Sequence, residues 1–354
     1  MTKYTIFIRL AIAMAFFYSS AEAGTAPIIP TSYQSSLRVG IDVDWAKTPK
    51  GRAAAQRSRK AGINVPKLFK ARGFDHVRIR IKESVLDQRK SKITGMRLID
   101  EIKALVDDSL KAGITPILAY RLDAYKNDPT SDAKLADAVA WWRMVAQTFK
   151  DYPYTLAYDL VIEPAKKIKK HNDRLNLYYQ KATEAIRRID PKRIVIVAAN
   201  KISNPYELNH LIVPKPTTYM MAEWHFYAAG PKRANPKKQW TGGTAFEKKL
   251  ITDKIHAAKS WSTRTGIPTW VGAWMPNNYN KKGTRSRRAT DGAPDGGDHT
   301  EAEQLAFASF MSRSLQQAGI PFAINSDTKY FDREHNIWYP SRKKLLDTIL
   351  KRYQ

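Results

Sequence analysis

Short apolar runs alternate along the chain with longer stretches in which apolar side chains recur every three or four positions. The runs at 38–44, 74–81, 113–120, 154–163, 193–199, 217–227, 267–273 and 321–325 read as strands. Between them Leu98, Ile102, Leu105, Val106 and Leu110 mark one helix face, and Leu135, Val139, Trp142, Val145 and Phe149 a second. Leu175, Tyr178, Ala182, Ile186 and Ile189 mark a third, with Asn172 or Asp173 as its expected cap. Val65, Leu68 and Phe69 belong to a shorter helical piece, and helices over 246–263, 301–317 and 345–350 complete the cycle. Strands and helices taking turns in this way predict an α/β fold, the (β/α)8 TIM barrel. An open doubly wound sheet would need a glycine-rich turn after the first strand, and Trp45-Ala-Lys-Thr-Pro does not supply one.

The fourth run ends by delivering a carboxylate, Glu163, with Pro164 directly behind it to stop the strand. A barrel builds its active site from the segments that follow its strands, so Glu163 is the first candidate for a catalytic group. Side chains two apart on a strand share a face. His76, Arg78 and Arg80 therefore share one face of the second strand, and Glu223, His225 and Tyr227 one face of the sixth. Asp42 and Asp44 end the first strand, Asp123 follows the third, and Asp327 follows the eighth.

At 354 residues and 43% hydrophobic composition, residues 24–354 suit one large domain. Residues 1–23 carry Lys3 and Arg9, an apolar stretch over 10–18 and small residues around Ala23, the pattern of a signal peptide cleaved before Gly24. The expectation is export, to a secreted or periplasmic location. No cysteine is present, so no disulfide supports the fold. A net charge of +27 favours anionic partners. Several segments after strands are basic: Lys166, Lys167, Lys169 and Lys170 after the fourth, Lys232, Arg233, Lys237 and Lys238 after the sixth, and Lys281, Lys282, Arg285, Arg287 and Arg288 after the seventh. Tyr227, Trp240, Trp274 and Trp338 offer flat faces for stacking on sugar rings. Together these suggest a cleft for an anionic glycan, or for a neutral glycan inside an anionic matrix. Metal-ligand spacings and phosphate-cradling loops are missing from the pattern, so no cofactor or metal is expected, and no nucleic-acid-binding motif or transmembrane segment stands out.

Several motifs then line up in order. Gly73-Phe-Asp-His-Val-Arg78-Ile is similar to the second strand of glycoside hydrolase family 5, which includes many cellulases and mannanases, and Asp-Leu-Val-Ile-Glu163-Pro164 to its Asn-Glu-Pro strand end. The segment 185–197 resembles the family's fourth helix and fifth strand, His225-Phe-Tyr227 its His-x-Tyr, and 266–273 its seventh strand. The resemblance makes Glu163 the acid/base, Arg78 the arginine that orients carboxylates, and His225 and Tyr227 lining residues of the cleft. It also marks departures: Ala273 stands where the family has its nucleophilic glutamate, Ile162 where it has asparagine, and Arg121-Leu122 where it has paired histidines.

A retaining mechanism needs two carboxyls about 5–5.5 Å apart, one of them a nucleophile, and alanine cannot be one. An inverting mechanism tolerates about 6.5–9.5 Å with a water between. Glu223 is then the expected partner of Glu163, with Asp327 a more distant choice and a loop-capping role its alternative. Arg121, Trp274 and Asp327 join Arg78, His225 and Tyr227 as expected substrate-binding residues. Two functions follow: a secreted hydrolase of O-glycosidic bonds in a polysaccharide, or a barrel without turnover that binds glycan or cell-envelope polymer.

Overall fold

The structure is a computed structural model and describes residues 26–228, 240–276 and 299–353. Eight parallel strands close into a barrel in chain order: β1 Val39–Val43, β2 His76–Ile81, β3 Thr115–Tyr120, β4 Ala157–Asp159, β5 Val195–Ala198, β6 Met220–Tyr227, β7 Thr269–Met275 and β8 Phe322–Ile324. The expected TIM barrel is the fold. Strands and the major helices fall where periodicity put them, with the helix expected at 246–263 spanning Ala245–Thr265 and that at 301–317 spanning Glu301–Gln317. Both begin with a capping box, Thr244 with Glu247 and Thr300 with Glu303, which satisfies two otherwise orphaned backbone donors at each start.

Four local expectations differ. The helix Asn172–Arg187 has no side-chain cap; Asn172 is its first residue and bonds the side chain of Asn200 instead. β4 is far shorter than 154–163, because the chain leaves the ladder after Asp159. Leu160 N–H still reaches Ile196 O at 3.0 Å, but Ile162 N–H turns to Tyr120 O at 2.9 Å. The helix Pro49–Lys60 escaped the hydrophobic pattern because most of its residues are polar or alanine. A further unexpected helix, Pro30–Leu37, closes the N-terminal end of the barrel. Tyr33 and Leu37 are fully buried against Ile117, Ile196, Met221 and Trp270, Tyr33 Oη donates to Thr155 O at 3.0 Å, and Gln34 Nε2 donates to Thr269 O at 2.7 Å.

Alternation then fills the barrel in layers. The apolar plug lies lowest, with His76 beside it accepting from Trp270 Nε1 at 3.2 Å. Above it Arg78 from β2, Asp159 from β4 and Glu223 from β6 form a charged middle layer, all fully buried. The upper layer holds Arg80, His225, Tyr227 and Ala273. β7 changes parity on the way up: its register against β6 and β8 shifts between Val271 and Trp274. This bulge brings Ala273 and Met275 inward beside Tyr227 and turns Trp274 out onto Phe307 and Phe322. Among the described residues no helix is long and apolar enough to cross a membrane.

Candidate active site

The floor of the barrel mouth is organised by one guanidinium. Arg78 grips Asp42 with Nε and Nη2, at 2.6 and 2.9 Å, and its Nη1 reaches Asp159 Oδ2 at 3.0 Å and Glu223 Oε1 at 2.9 Å. Arg80, one layer up, bonds Asp42 at 3.1 Å and Asp44 at 2.7 Å. Buried charges of this kind are poor sources of stability, since desolvation offsets attraction, but they fix side chains in one geometry. Burial and repulsion from Glu223 push Asp159 far up, so it holds a proton. Burial also works to raise Glu223, but Arg78 and His225 prevail and hold it down at about 2. Gly272 on β7 makes room for this arrangement: a Cβ there would meet Glu223 Cδ at 2.4 Å. Gly272→Ala is expected to destabilise the fold by about 1–3 kcal/mol through overpacking, read as a lowered Tm. An unchanged Tm would mean that Glu223 is not held against this strand.

Glu163 stands directly above. It adopts a left-handed backbone with φ 52°, uncommon for a residue with a side chain and a frequent mark of functional sites. Lys126 Nζ pins this turn by donating to Ile162 O at 2.8 Å and Glu163 O at 3.3 Å. From the other side Ile202 N–H donates to Pro164 O at 2.8 Å, out of a left-handed turn formed by Lys201, Ile202 and Ser203. The carboxylate takes two hydrogen bonds on Oε1, from His225 Nδ1 at 3.2 Å and from Tyr227 Oη at 3.1 Å. Asn325 Nδ2 donates to Tyr227 Oη at 3.2 Å, which directs the phenol hydrogen toward Glu163.

His225 therefore spans two carboxylates, with Glu163 on Nδ1 and Glu223 on Nε2. Burial alone would lower its pKa, yet the charge of Glu223 and the bond to Glu163 raise it, so the ring is an imidazolium. For Glu163 burial pulls upward and is outweighed by the His225 hydrogen bond and charge, with Lys126 and Arg78 adding to it. Its carboxyl is held well below the usual range. The Glu163 side chain keeps 31% of its surface open, so it remains reachable from the cleft.

The other expected residues separate into two groups. Arg78, His225 and Tyr227 converge on Glu163 or on the layer below it. Glu223 faces inward as alternation requires, but it is fully buried under His225 and cannot activate a water in the cleft; it was expected to be the second catalytic carboxylate and is instead the partner of Arg78 and His225. Arg121 lies at the mouth, 30% open. Asp327 is fully buried with Arg333 on both oxygens, at 2.8 and 2.6 Å, and accepts from Asp44 N–H at 3.1 Å. It is a loop cap and does not bind substrate. Trp274 points to the helices, Trp240 packs on Phe307 and Phe310, and Trp338 packs on Phe69 and Phe74, so none of the three is a sugar platform. The basic groups at 232–238 and 281–288 lie outside the described residues; 166–170 forms an exposed turn whose only buried member is Ile168.

Asp159 and Asn325 went unnoticed in the sequence. Alternation along 154–163 puts Asp159, four residues before Glu163, on the same face, and that is the signal that marks it. Asn325 gave no signal. Among the described residues no group of three or more acidic or histidine side chains is arranged to hold a metal ion.

The sequence model of the Cellulase family, glycosyl hydrolase family 5, matches residues 45–306. Endoglucanase H of Acetivibrio thermocellus is 23% identical over 270 residues, covering 76% of this chain and 29% of that protein, so the chain spans under a third of its relative's length. Endoglucanase Cel5A of Thermotoga maritima superposes with a TM-score of 0.71 at 20% identity, over 91% of this chain and all of that one. Cellulose synthase subunit Z of Clostridioides difficile gives 0.66 at 16% identity, over 89% and 100%. Those two structures share the fold. With the family match running from just past β1 into the helix Glu301–Gln317, across Glu163, His225 and Tyr227, the chain belongs to glycosyl hydrolase family 5, the cellulase family.

Proposed function

We propose that the protein is an exported glycosidase that hydrolyses O-glycosidic bonds in a polysaccharide, with Glu163 as the acid and Asp44 as the second carboxylate. The observation that carries this reading is the double hydrogen bond from His225 and Tyr227 onto a Glu163 that is still open to the cleft.

Asp44 takes the role first expected of Glu223. Of the carboxylates around the mouth, Asp42, Asp159, Glu223 and Asp327 are fully buried and Asp123, 20% exposed, follows β3 next to the strand that carries Glu163, whereas Asp44 keeps 14% of its side chain exposed on β1. β1 lies three strands from β4 around the barrel, the same angular step that separates β4 from β7, where the family carries its nucleophile. The base of an inverting glycosidase must be ionised at rest. Burial would raise Asp44, but Arg80 and Lys47 hold it below the usual carboxylate range.

Glu163 is also ionised at rest and must gain a proton first. A sugar seated over it removes water, which disfavours its charged form, and the imidazolium of His225 lies within transfer distance. The proton passes from His225 Nδ1 to Glu163 and on to the leaving oxygen as the glycosidic bond breaks. Water attacks the anomeric carbon and gives its proton to Asp44. Buried Glu223, with Arg78 beneath, is a positioning group that keeps His225 charged.

The test is reducing-end release from a panel of polysaccharides, with the anomeric configuration of fresh product read by NMR. Inversion is expected, and Asp44→Asn should slow release by about 10²-fold or more when assayed well below its Tm, which itself should fall because Arg80 loses a buried partner. Retention, or full activity in that variant, would rule out Asp44 as base. Ala273, fully buried at the position where the family resemblance would put a nucleophile, favours a second reading, a barrel that binds glycan or cell-envelope polymer without cutting it. Binding without release of reducing ends from any polymer would support that reading.

A further inference from the structure

Beside Glu163 three cations share one acid. Arg121 Nη2, Lys126 Nζ and Lys166 Nζ approach the same oxygen of Asp123, at 3.3, 3.7 and 3.8 Å. Only the first is a hydrogen bond; the two ammonium groups are drawn toward Asp123 without bonding it. Asp123 and the neighbouring Glu163 carboxylate supply two negative charges against three cations, so the cluster keeps an excess of one positive charge. The Arg121 Nε–H is buried and has no acceptor among the described residues. Lys126 is buried and ties the cluster to Glu163 through that residue's carbonyl, while Arg121 and Lys166 are 30% and 41% open at the surface.

The strain of this crowding shows in Lys126. Burial and the neighbouring Arg121 bring its ammonium down to about 8. Lys47, across the mouth, is brought to the same level by burial and by Arg80, with Arg121 contributing. Cations packed this closely are costly unless an anion joins them, and the open part of the planar Arg121 guanidinium is matched to a carboxylate.

We propose that Arg121 and Lys166, backed by Lys126, form a subsite for the carboxylate of a uronic acid residue adjoining the bond that Glu163 cleaves. The cluster sits at the ends of β3 and β4, so the acidic sugar would occupy the side of the cleft next to Glu163 and opposite Asp44. This inference rests on the cleft at Glu163 being a glycan site and adds the class of glycan.

The full chain is tested for binding to polygalacturonate, alginate and polyglucuronate, each beside its carboxyl-reduced counterpart at one salt concentration. At least one uronate polymer should bind about tenfold or more tighter than its reduced form, as expected of a charge-assisted hydrogen bond. The double variant Arg121→Gln with Lys166→Gln should bring that ratio to about threefold or less. Lys111→Gln with Lys192→Gln removes the same charge from exposed positions at the opposite end of the barrel and should leave the ratio in place. Equal binding of every acidic and reduced pair overturns the proposal, and so does an equal loss in both double variants, which would mark a general cationic field. Cleavage of neutral glucan without uronate preference would sink the subsite and spare the hydrolase. A uronate preference with no cleavage of any polymer would do the reverse.

Discussion

Glu163→Gln is expected to lower reducing-end release by about 10³-fold while leaving the fold intact, within the usual range for loss of general acid catalysis. Glutamine keeps an oxygen where Oε1 accepts from Tyr227 and His225, so the geometry of the mouth should survive. What it loses is the capacity to carry a proton to the leaving oxygen. The side chain is partly exposed and its bonds are retained, so Tm should shift by only a few degrees. Rates and Tm measured together separate the cases. A rate loss smaller than about tenfold would remove Glu163 from the chemistry. A comparable loss accompanied by a large fall in Tm would assign it to the scaffold.

Arg78→Met should act in the opposite way, on stability first. The guanidinium holds Asp42, Asp159 and Glu223 in a fully buried layer, and methionine replaces its volume but none of its five donors. Breaking a buried ion pair from one side costs about 3–5 kcal/mol, a large share of the roughly 5–15 kcal/mol that keeps a domain folded. A fall in Tm on the order of 10 °C, or poor recovery of soluble protein, is the expected result. The deficit should depend on pH. Arg78 is one of the groups that hold Glu223 down, so without it the folded-state pKa of Glu223 rises, and the stability that its ionised form contributes above about pH 4 shrinks while that at lower pH is less affected. Adding Asp42→Asn and Glu223→Gln should restore part of the loss. Failure of that rescue would mean that packing, not charge, makes Arg78 necessary.

Strand positions and inward faces were legible because a barrel imposes two simple rules, period two along strands and carboxyl-terminal ends toward the site. Spacing put Glu223, His225 and Tyr227 on one face and Arg78 on another, and the family resemblance of Arg78 and His225 marked those faces as the interior. Neither could tell depth. Glu223 and His225 share a face, yet one is sealed and the other meets Glu163, since only the stacking of layers decides which residue water can reach. The rules also fail where parity changes. Alternation carried upward from inward-facing Trp270 would bring Trp274 into the cleft; the bulge in β7 turns it to the helices and presents Ala273 instead. Asp44 was legible as the end of the first strand and Arg80 as sharing the face of Arg78, but their value as an ionised pair at the rim depends on partners from three segments, which no local pattern announces.

The helix Pro30–Leu37 has a consequence for how the barrel assembles. Its hydrogen bonds join Tyr33 to Thr155 and Gln34 to Thr269, pairs separated by 122 and 235 positions in the chain. Contacts of such separation form late, because the entropy of the intervening loops must be overcome first. The base into which the helix fits also needs β7 and β8 in place. The first described element to leave the ribosome is thus among the last to dock, and until the barrel closes it is held back as an untethered amphipathic segment at the head of the chain.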